Sequence, residues 1–510
     1  VRPPRHQPSV AVIGGGFGGI ATAVNLQRAG LHDFVIFEKS DGPGGTWFDN
    51  RYPGAETDAP AHLYCFSFAP YDWTRTHVRQ PELLAYVDHL VERFGLTPHF
   101  RFGQTITSAV WDEAAQGYVL TGADGRTHRF DAVISAVGMF GAPRLPSLPG
   151  LATFAGPQLH TASWDHAVDL TGRRVAVIGT GSSAAQVVPT LAGTAAKVLV
   201  FQRQPGWLLP KGDRDLTPRE RWLFTRPLVW RLNRLRLYLR QERREVGGAF
   251  FRPGTAANTT ARRTALRHIA EVFADHPELA EAVTPRYPFG GKRAVLSSQF
   301  FESMLRADVE LVPHAVAACT PTGVVDATGV EHDVDALVLA TGFHAARYLP
   351  GLQVVGRDGV DLHAQWRGEP SAFLGITVPN FPNFFLLYGP NTNGGLIMFN
   401  LERQAEYAVA EIRRLRRGTT AVEVRADLTR VYNRWLQRKL ARTSFTSTDN
   451  YFTAPSGKVV TQWPDCETLY ALLTRVLRRP STLGRRSRGP RAERAETRVG
   501  AVSRSRTTGP

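Results

Sequence analysis

The chain has 510 residues, 43% of them apolar and 21% charged, with a formal net charge of +16. That length supports two or three domains with their own cores, and the balance is that of an ordinary globular protein. No apolar run approaches the roughly 18 residues a membrane-spanning helix needs. Cys65, Cys319 and Cys466 are scattered, which excludes a disulfide framework and any cysteine metal spacing; no metal is expected. So few cysteines suit a reducing compartment, and residues 1–7 hold Arg and Pro without an apolar stretch, so no secretory leader and a cytoplasmic location are expected. Half of the net charge lies in residues 478–510, ten Arg against two Glu in a Ser-, Gly- and Pro-rich setting. That composition predicts a disordered basic tail. The remaining charge suits anionic ligands and does not require nucleic acid.

In chain order, Val10–Ile13 reads as a buried strand. It runs into Gly14-Gly15-Gly16-Phe17-Gly18-Gly19, a helical stretch over 20–29, and a second strand, Phe34–Phe37, that ends at Glu38. Strand, G-x-G-x-x-G, helix, strand and acid within about 30 residues is the pattern of a dinucleotide site. Gly14, Gly16 and Gly19 permit the tight turn with Phe17 among them as a further cofactor-binding residue, the N-terminus of the helix offers N–H groups to a pyrophosphate, and Glu38 can accept from ribose hydroxyls. Segments 101–120 and 129–137 carry strand signals on this first unit.

The pattern recurs. Val175–Ile178 leads into Gly179-Thr180-Gly181-Ser182-Ser183-Ala184, a helix to about 191, and the strand Lys197–Phe201. Here the strand ends in Gln202-Arg203. An acid would repel a 2′-phosphate, whereas Arg203 can pair with one. The first site therefore reads as FAD or NAD, the second as NADP. Residues 207–285 differ, with long helical patterning and many arginines, and read as a helical insertion. Within it, 231–244 intersperses leucines with arginines. It suits a helix packed on the domain with a solvated arginine face, the reading favoured here, or a basic amphipathic helix at a surface. Asp335–Gly342 is a strand ending in a turn. Phe384–Tyr388 is another, followed by Gly389-Pro390-Asn391-Thr392-Asn393-Gly394-Gly395 and a helix that again brings N–H groups toward a cofactor.

The predicted fold is α/β, with two Rossmann-like dinucleotide-binding domains and a helical insertion in the second. FAD-binding parts are expected at 1–143 and 372–477. The linker and first NADP part occupy 144–206, the insertion 207–285, the second NADP part 286–371, and the tail 478–510.

One segment is more specific than the rest. Phe154-Ala155-Gly156-Pro157-Gln158-Leu159-His160-Thr161-Ala162-Ser163-Trp164-Asp165 matches F-x-G-x-x-x-H-x-x-x-W-(P/D). With the two glycine turns, it makes residues 8–477 resemble the type I Baeyer–Villiger monooxygenases, a branch of the flavin-containing monooxygenase family. The resemblance implies FAD, NADPH and O2 as cofactors and co-substrates. It also implies insertion of oxygen beside a ketone carbonyl through a C4a-peroxyflavin, giving an ester or lactone.

The same resemblance implies roles for further residues. Gly44-Gly45-Thr46-Trp47 and Asn50–Gly54 match the flavin-contacting segment, with Tyr64 nearby. Asp58 falls at the active-site aspartate. Lys292 would contact the 2′-phosphate, and Arg293 would be the catalytic arginine. Thr341 and Gly342 belong to the A-T-G turn between domains, and Asn391 to the cofactor-facing loop. His160 and Trp164 would act in linker and domain movement. Retained NADP+ under the helical insertion would exclude water. The Tyr451-Phe452 pair stands where the family usually has Trp and a second aromatic, which loosens any transfer of substrate preference.

A cation such as Arg293 keeps its charge at any working pH and can stabilise a developing oxyanion; Asp58 can orient it by paired hydrogen bonds. Without the resemblance the two would read as an ordinary interdomain salt bridge. A same-fold enzyme oxidising nitrogen or sulfur makes little use of Arg293 and stays as the alternative. More remote is a basic membrane- or nucleic-acid-binding role. The expected partners are a small ketone and O2, with no nucleic acid, no integral membrane segment and at most a weak association with a membrane surface. The sequence leaves the oligomeric state open.

Overall fold

The computed structural model describes residues 7–416 and 418–486. Two five-stranded parallel sheets organise it. The first has the spatial order Phe384–Leu386, Ala132–Ser135, Val10–Ile13, Phe34–Phe37, Phe100–Arg101. All its neighbours run parallel, with Val10 opposite Phe34 on one side and Ala132 on the other. The second has the order Val309–Val312, Lys197–Phe201, Arg174–Ile178, Ala336–Leu339, Gln158–His160, again parallel throughout. Strands buried on both faces must be apolar along their length, as Val10-Ala11-Val12-Ile13 and Val175-Ala176-Val177 are; none of these is more than 6% exposed.

The first sheet closes only when Phe384–Leu386, far along the chain, joins its edge. An antiparallel sheet of Ile106–Asp112, Gly117–Gly122 and Thr127–Phe130, with Gln353–Val355 alongside in parallel, accounts for the strand signals between the first unit's parallel strands. The helices Phe17–Arg28 and Ile397–Leu415 pack together over the first sheet. The stretch between Phe201 and Val309 holds helices at Pro218–Phe224, Pro227–Glu245, Ala256–Val272 and Pro277–Val283.

One expectation is corrected, and a second is met with an added feature. The first concerns the tail. Arg478–Ser481 is helical, and Thr482–Arg486 pairs antiparallel with Thr419–Val424. Arg478 and Thr482 both bond to the carboxylate of Glu411, whose side chain is fully buried. Ion pairing at a distance supplies the order that local composition lacks. The rest of the expected tail, 487–510, lies outside the described residues.

The second concerns the helix Pro227–Glu245. It does pack on the body, but its buried residues are Trp230, Glu242 and Glu245, while Leu228, Leu232, Leu235 and Leu239 face outward. The inward face is held by polar contacts. Arg234 donates to the carbonyls of His62 and Cys65 at 2.6 and 2.8 Å, and Glu242 accepts the N–H groups of Glu467 and Thr468 at 2.8 and 3.0 Å.

Candidate functional site

The first glycine turn sits at the C-terminal end of Val10–Ile13, where the helix Phe17–Arg28 begins. Gly19 is required there, because a Cβ would lie 2.1 Å from the carbonyl oxygen of Gly14. Gly16, the helix N-cap, has no capping side chain, so the first helical N–H groups are open to an anion. The Phe17 ring is buried, edge-on to Tyr64 and Phe66, so Phe17 faces that anion with its backbone. Glu38 is also buried. Its carboxylate accepts the N–H groups of Gly15 at 2.6 Å and Ser40 at 2.9 Å, which fixes it beside the turn as a ribose acceptor would need. A dinucleotide fits this cradle.

Gly45 is the N-cap of the short helix Thr46–Asp49 and comes within van der Waals reach of Gly16. The Trp47 indole donates to the Tyr64 hydroxyl at 2.9 Å, with the rings edge to face. The following segment meets the second unit. At Gly54, φ is +81° and a Cβ would lie 2.4 Å from the Gln186 carbonyl. Tyr52 donates to Gln186 Oε1 at 2.7 Å. The flavin-type segment thus rests directly on the helix Ser182–Leu191 that follows the second glycine turn.

That turn repeats the first. Gly179 ends Arg174–Ile178, and Gly181 caps the helix without a side-chain cap. Ser182 and Ser183 are half-buried in its first turn. Arg203 is exposed. Lys292 bonds to Gln204 Oε1 at 2.5 Å. Burial first, and the charge of Arg203 second, push the Lys292 pKa below its ordinary value, with Asp449 opposing. Two cations held close together make a site that an anion relieves, as a 2′-phosphate would.

Between the two units Arg293 donates from Nη2 to Asp58 Oδ2 at 3.2 Å. Crowding by neighbouring groups works against its charge, although 42% of the side chain is exposed, but Asp58, helped by Tyr451, Tyr388 and Tyr64, more than offsets this and raises the guanidinium's pKa. The tyrosines stay protonated. Burial pushes Tyr64 up to about 12 and raises Tyr388 and Tyr451, each against the pull of Arg293. The loop bearing Arg293 is tied to the C-terminal segment by Asn450, whose amide donates to the Gly291 carbonyl at 2.8 Å. A fixed cation, an orienting carboxylate and neutral hydroxyls in an aromatic wall form a site for negative charge developing on oxygen.

Nothing local in the sequence marks Tyr388, which follows a strand, as a neighbour of Arg293. Tyr451 stands out in the sequence only as a departure from the family pattern. The Asn391 amide donates to the carbonyls of Val459 and Gln462 at 3.0 and 3.2 Å, which shapes the loop from within.

His160 ends the edge strand of the second sheet, opposite Leu339. Its Nδ1 accepts the Ala162 N–H at 3.0 Å, leaving the proton on Nε2, 3.4 Å from the Thr341 hydroxyl. Burial lowers its pKa. Thr341 donates to the Arg144 carbonyl at 2.5 Å, and Arg144 donates its N–H to the Gly342 carbonyl at 2.8 Å. The crossing between the units is therefore one hydrogen-bonded knot. Trp164 packs on the second unit's core.

Comparison with known proteins agrees with this architecture. Residues 7–239 match the family model described as flavin-binding monooxygenase-like. The chain is 40% identical to a Baeyer-Villiger monooxygenase of Pseudomonas aeruginosa, over 91% of this chain and 89% of that protein. It is 36% identical to a Baeyer-Villiger monooxygenase of Streptomyces coelicolor, over 89% and 88%. Among solved structures, it resembles cyclohexanone monooxygenase from Rhodococcus sp. Phi1 bound to NADP+. The TM-score is 0.85 at 30% identity, covering 94% of this chain and 99% of the other.

Proposed function

The chain belongs to the Baeyer–Villiger monooxygenase family of flavin-binding monooxygenases, and from that premise we propose that its Arg293–Asp58 pair serves insertion of one oxygen atom beside the carbonyl of a ketone. The enzyme is an NADPH-dependent flavoprotein monooxygenase. When bound, FAD reduced by NADPH activates O2 and supplies the transferred oxygen. The residues do the rest. The turn Gly14–Gly19 and Glu38 would hold FAD, and Gly45, Thr46, Trp47 and Tyr64 would complete its site. The turn Gly179–Ser183 holds NADPH, and Arg203 and Lys292 select it by its 2′-phosphate.

The observation that carries the reading is the Arg293–Asp58 contact across the two units. Arg293 supplies a permanent positive charge where oxygen becomes negative, and Asp58 fixes the plane of the guanidinium. Tyr64, Tyr388 and Tyr451 remain neutral and add polarity without a competing charge.

Related structures carry cyclohexanone and ε-caprolactone, so cyclic ketones are the first substrates to test. The test measures ketone-dependent NADPH consumption by the yellow protein together with product mass. A product one oxygen heavier than the ketone is expected. NADPH consumption yielding only H2O2 with every ketone, alongside oxygenation of an amine or sulfide, would instead support heteroatom oxidation.

A further inference from the structure

The helix Pro227–Glu245 is inverted relative to an ordinary surface helix. Its two acids, Glu242 and Glu245, are buried. Leu228, Leu232, Leu235 and Leu239, at i, i+4, i+7 and i+11, form one outward stripe between 50% and 68% exposed. Trp222 on the preceding helix and Val246 at the end are 57% and 58% exposed. Arg231, Arg236, Arg240, Arg243 and Arg244 are exposed beside the stripe, and among the described residues none is in an ion pair. Four of them, with Leu239 and Ala257, line a shallow cleft of about 530 Å3. Leucines turned to water are unfavourable by area, and a row of arginines without acids repels itself.

We infer that this face docks on an anionic phospholipid bilayer, the leucine stripe and Trp222 entering the interface and the arginines engaging lipid phosphates. Charge and shape agree with that occupant. An interfacial helix has an apolar stripe flanked by arginines and an aromatic at the boundary. A second copy of the chain would set the same five arginines against each other. A nucleic acid would satisfy the arginines but leave the leucines facing phosphate. The docking is peripheral, since no helix among the described residues is long and apolar enough to cross a membrane. It adds to the proposed activity and does not depend on it.

The test is sedimentation of the full-length FAD-loaded protein with vesicles of phosphatidylcholine alone or with 30% phosphatidylglycerol. It compares the parent chain with Leu232→Glu/Leu235→Glu and Arg236→Glu/Arg240→Glu/Arg243→Glu. All three keep the arginines of 487–510, so differences between them belong to the helix. Flavin absorbance reports folding, and the substituted side chains are exposed, so it should not change. Binding only to phosphatidylglycerol vesicles is expected. It should weaken about tenfold or more in the leucine variant and on the order of 100-fold in the arginine variant at low salt. The inference is overturned if the parent shows no preference for phosphatidylglycerol, or if the leucine variant binds like the parent. It is also overturned if the leucine variant converts a solution dimer to a monomer, or if both variants lose oligonucleotide binding while vesicle binding is unchanged.

Discussion

Tyr52 of the first unit donates its hydroxyl to Gln186 of the second at 2.7 Å, two residues before Gly54, where a Cβ would strike the same glutamine's carbonyl. The segment that carries Tyr52 and Gly54 is thus fixed against the helix that follows the second glycine turn. A donor of hydride and an acceptor of hydride can be held face to face only if such contacts fix the units.

The first prediction concerns the FAD cradle. In Gly19→Ala, the new methyl must displace the Gly14 carbonyl, a backbone strain of about 1–3 kcal/mol. FAD affinity should fall by about 5- to 150-fold, read as flavin per protein after dialysis. Full retention would show that the turn does not carry the cofactor.

The second concerns cofactor choice. Arg203→Ala should raise KM for NADPH about 5- to 150-fold, matching charge-assisted bonds of about 1–3 kcal/mol, and leave KM for NADH almost unchanged. The depressed pKa of Lys292 means that it loses its charge at a lower pH than a free lysine. NADPH preference should therefore decline as pH rises, and Lys292→Arg should abolish the decline. Equal KM changes for both cofactors in Arg203→Ala would remove it from phosphate recognition.

The third concerns pH and stability. Burial, and secondarily the charge of Glu242, push Glu245 up to about 8, against its hydrogen bond from Gln241. A carboxyl with a raised folded-state pKa binds its proton more tightly folded than unfolded. Its contribution is present at low pH and is lost as pH rises from its ordinary 4.5 through about 8. The melting temperature should fall across that window, and Glu245→Gln should flatten the fall. An unchanged slope in Glu245→Gln would rule Glu245 out as the source.

The fourth separates ordered from remaining C-terminal residues. A chain ending at 477 loses the Arg478 and Thr482 partners of buried Glu411. It should be about 1–3 kcal/mol less stable than one ending at 486, read by denaturant unfolding. Equal stability would mean that Glu411 is satisfied by Arg414 alone.

What was legible in the sequence was what is local. Gly14–Gly19 and Gly179–Ser183 announce themselves because turn, helix start and flanking strands lie within 30 residues. The Arg293–Asp58 pair was legible through the family resemblance alone, since 235 positions separate them. Tyr388 carried no signal, because only the closing of the first sheet by Phe384–Leu386 brings it there. Periodicity marked a leucine stripe on 231–244 but not its direction. That depended on Arg234 and Glu242 finding polar partners on distant segments. The strand Thr482–Arg486 was hidden for a similar reason, because its anchor is a glutamate in another helix.

The central claim is that Arg293 stabilises oxygen transfer and does not serve merely to join the units. The measurement is product formed per NADPH consumed by Arg293→Ala, with stopped-flow absorbance following flavin reduction and reoxidation separately. The variant should bind FAD and be reduced by NADPH at near the parent rate, but oxygenate ketones on the order of 100- to 1,000-fold more slowly. Arg293→Lys should recover only part of this, since an ammonium lacks the planar fork that Asp58 holds. Ketone oxygenation by Arg293→Ala at the parent rate, with the same product yield per NADPH, would contradict the account.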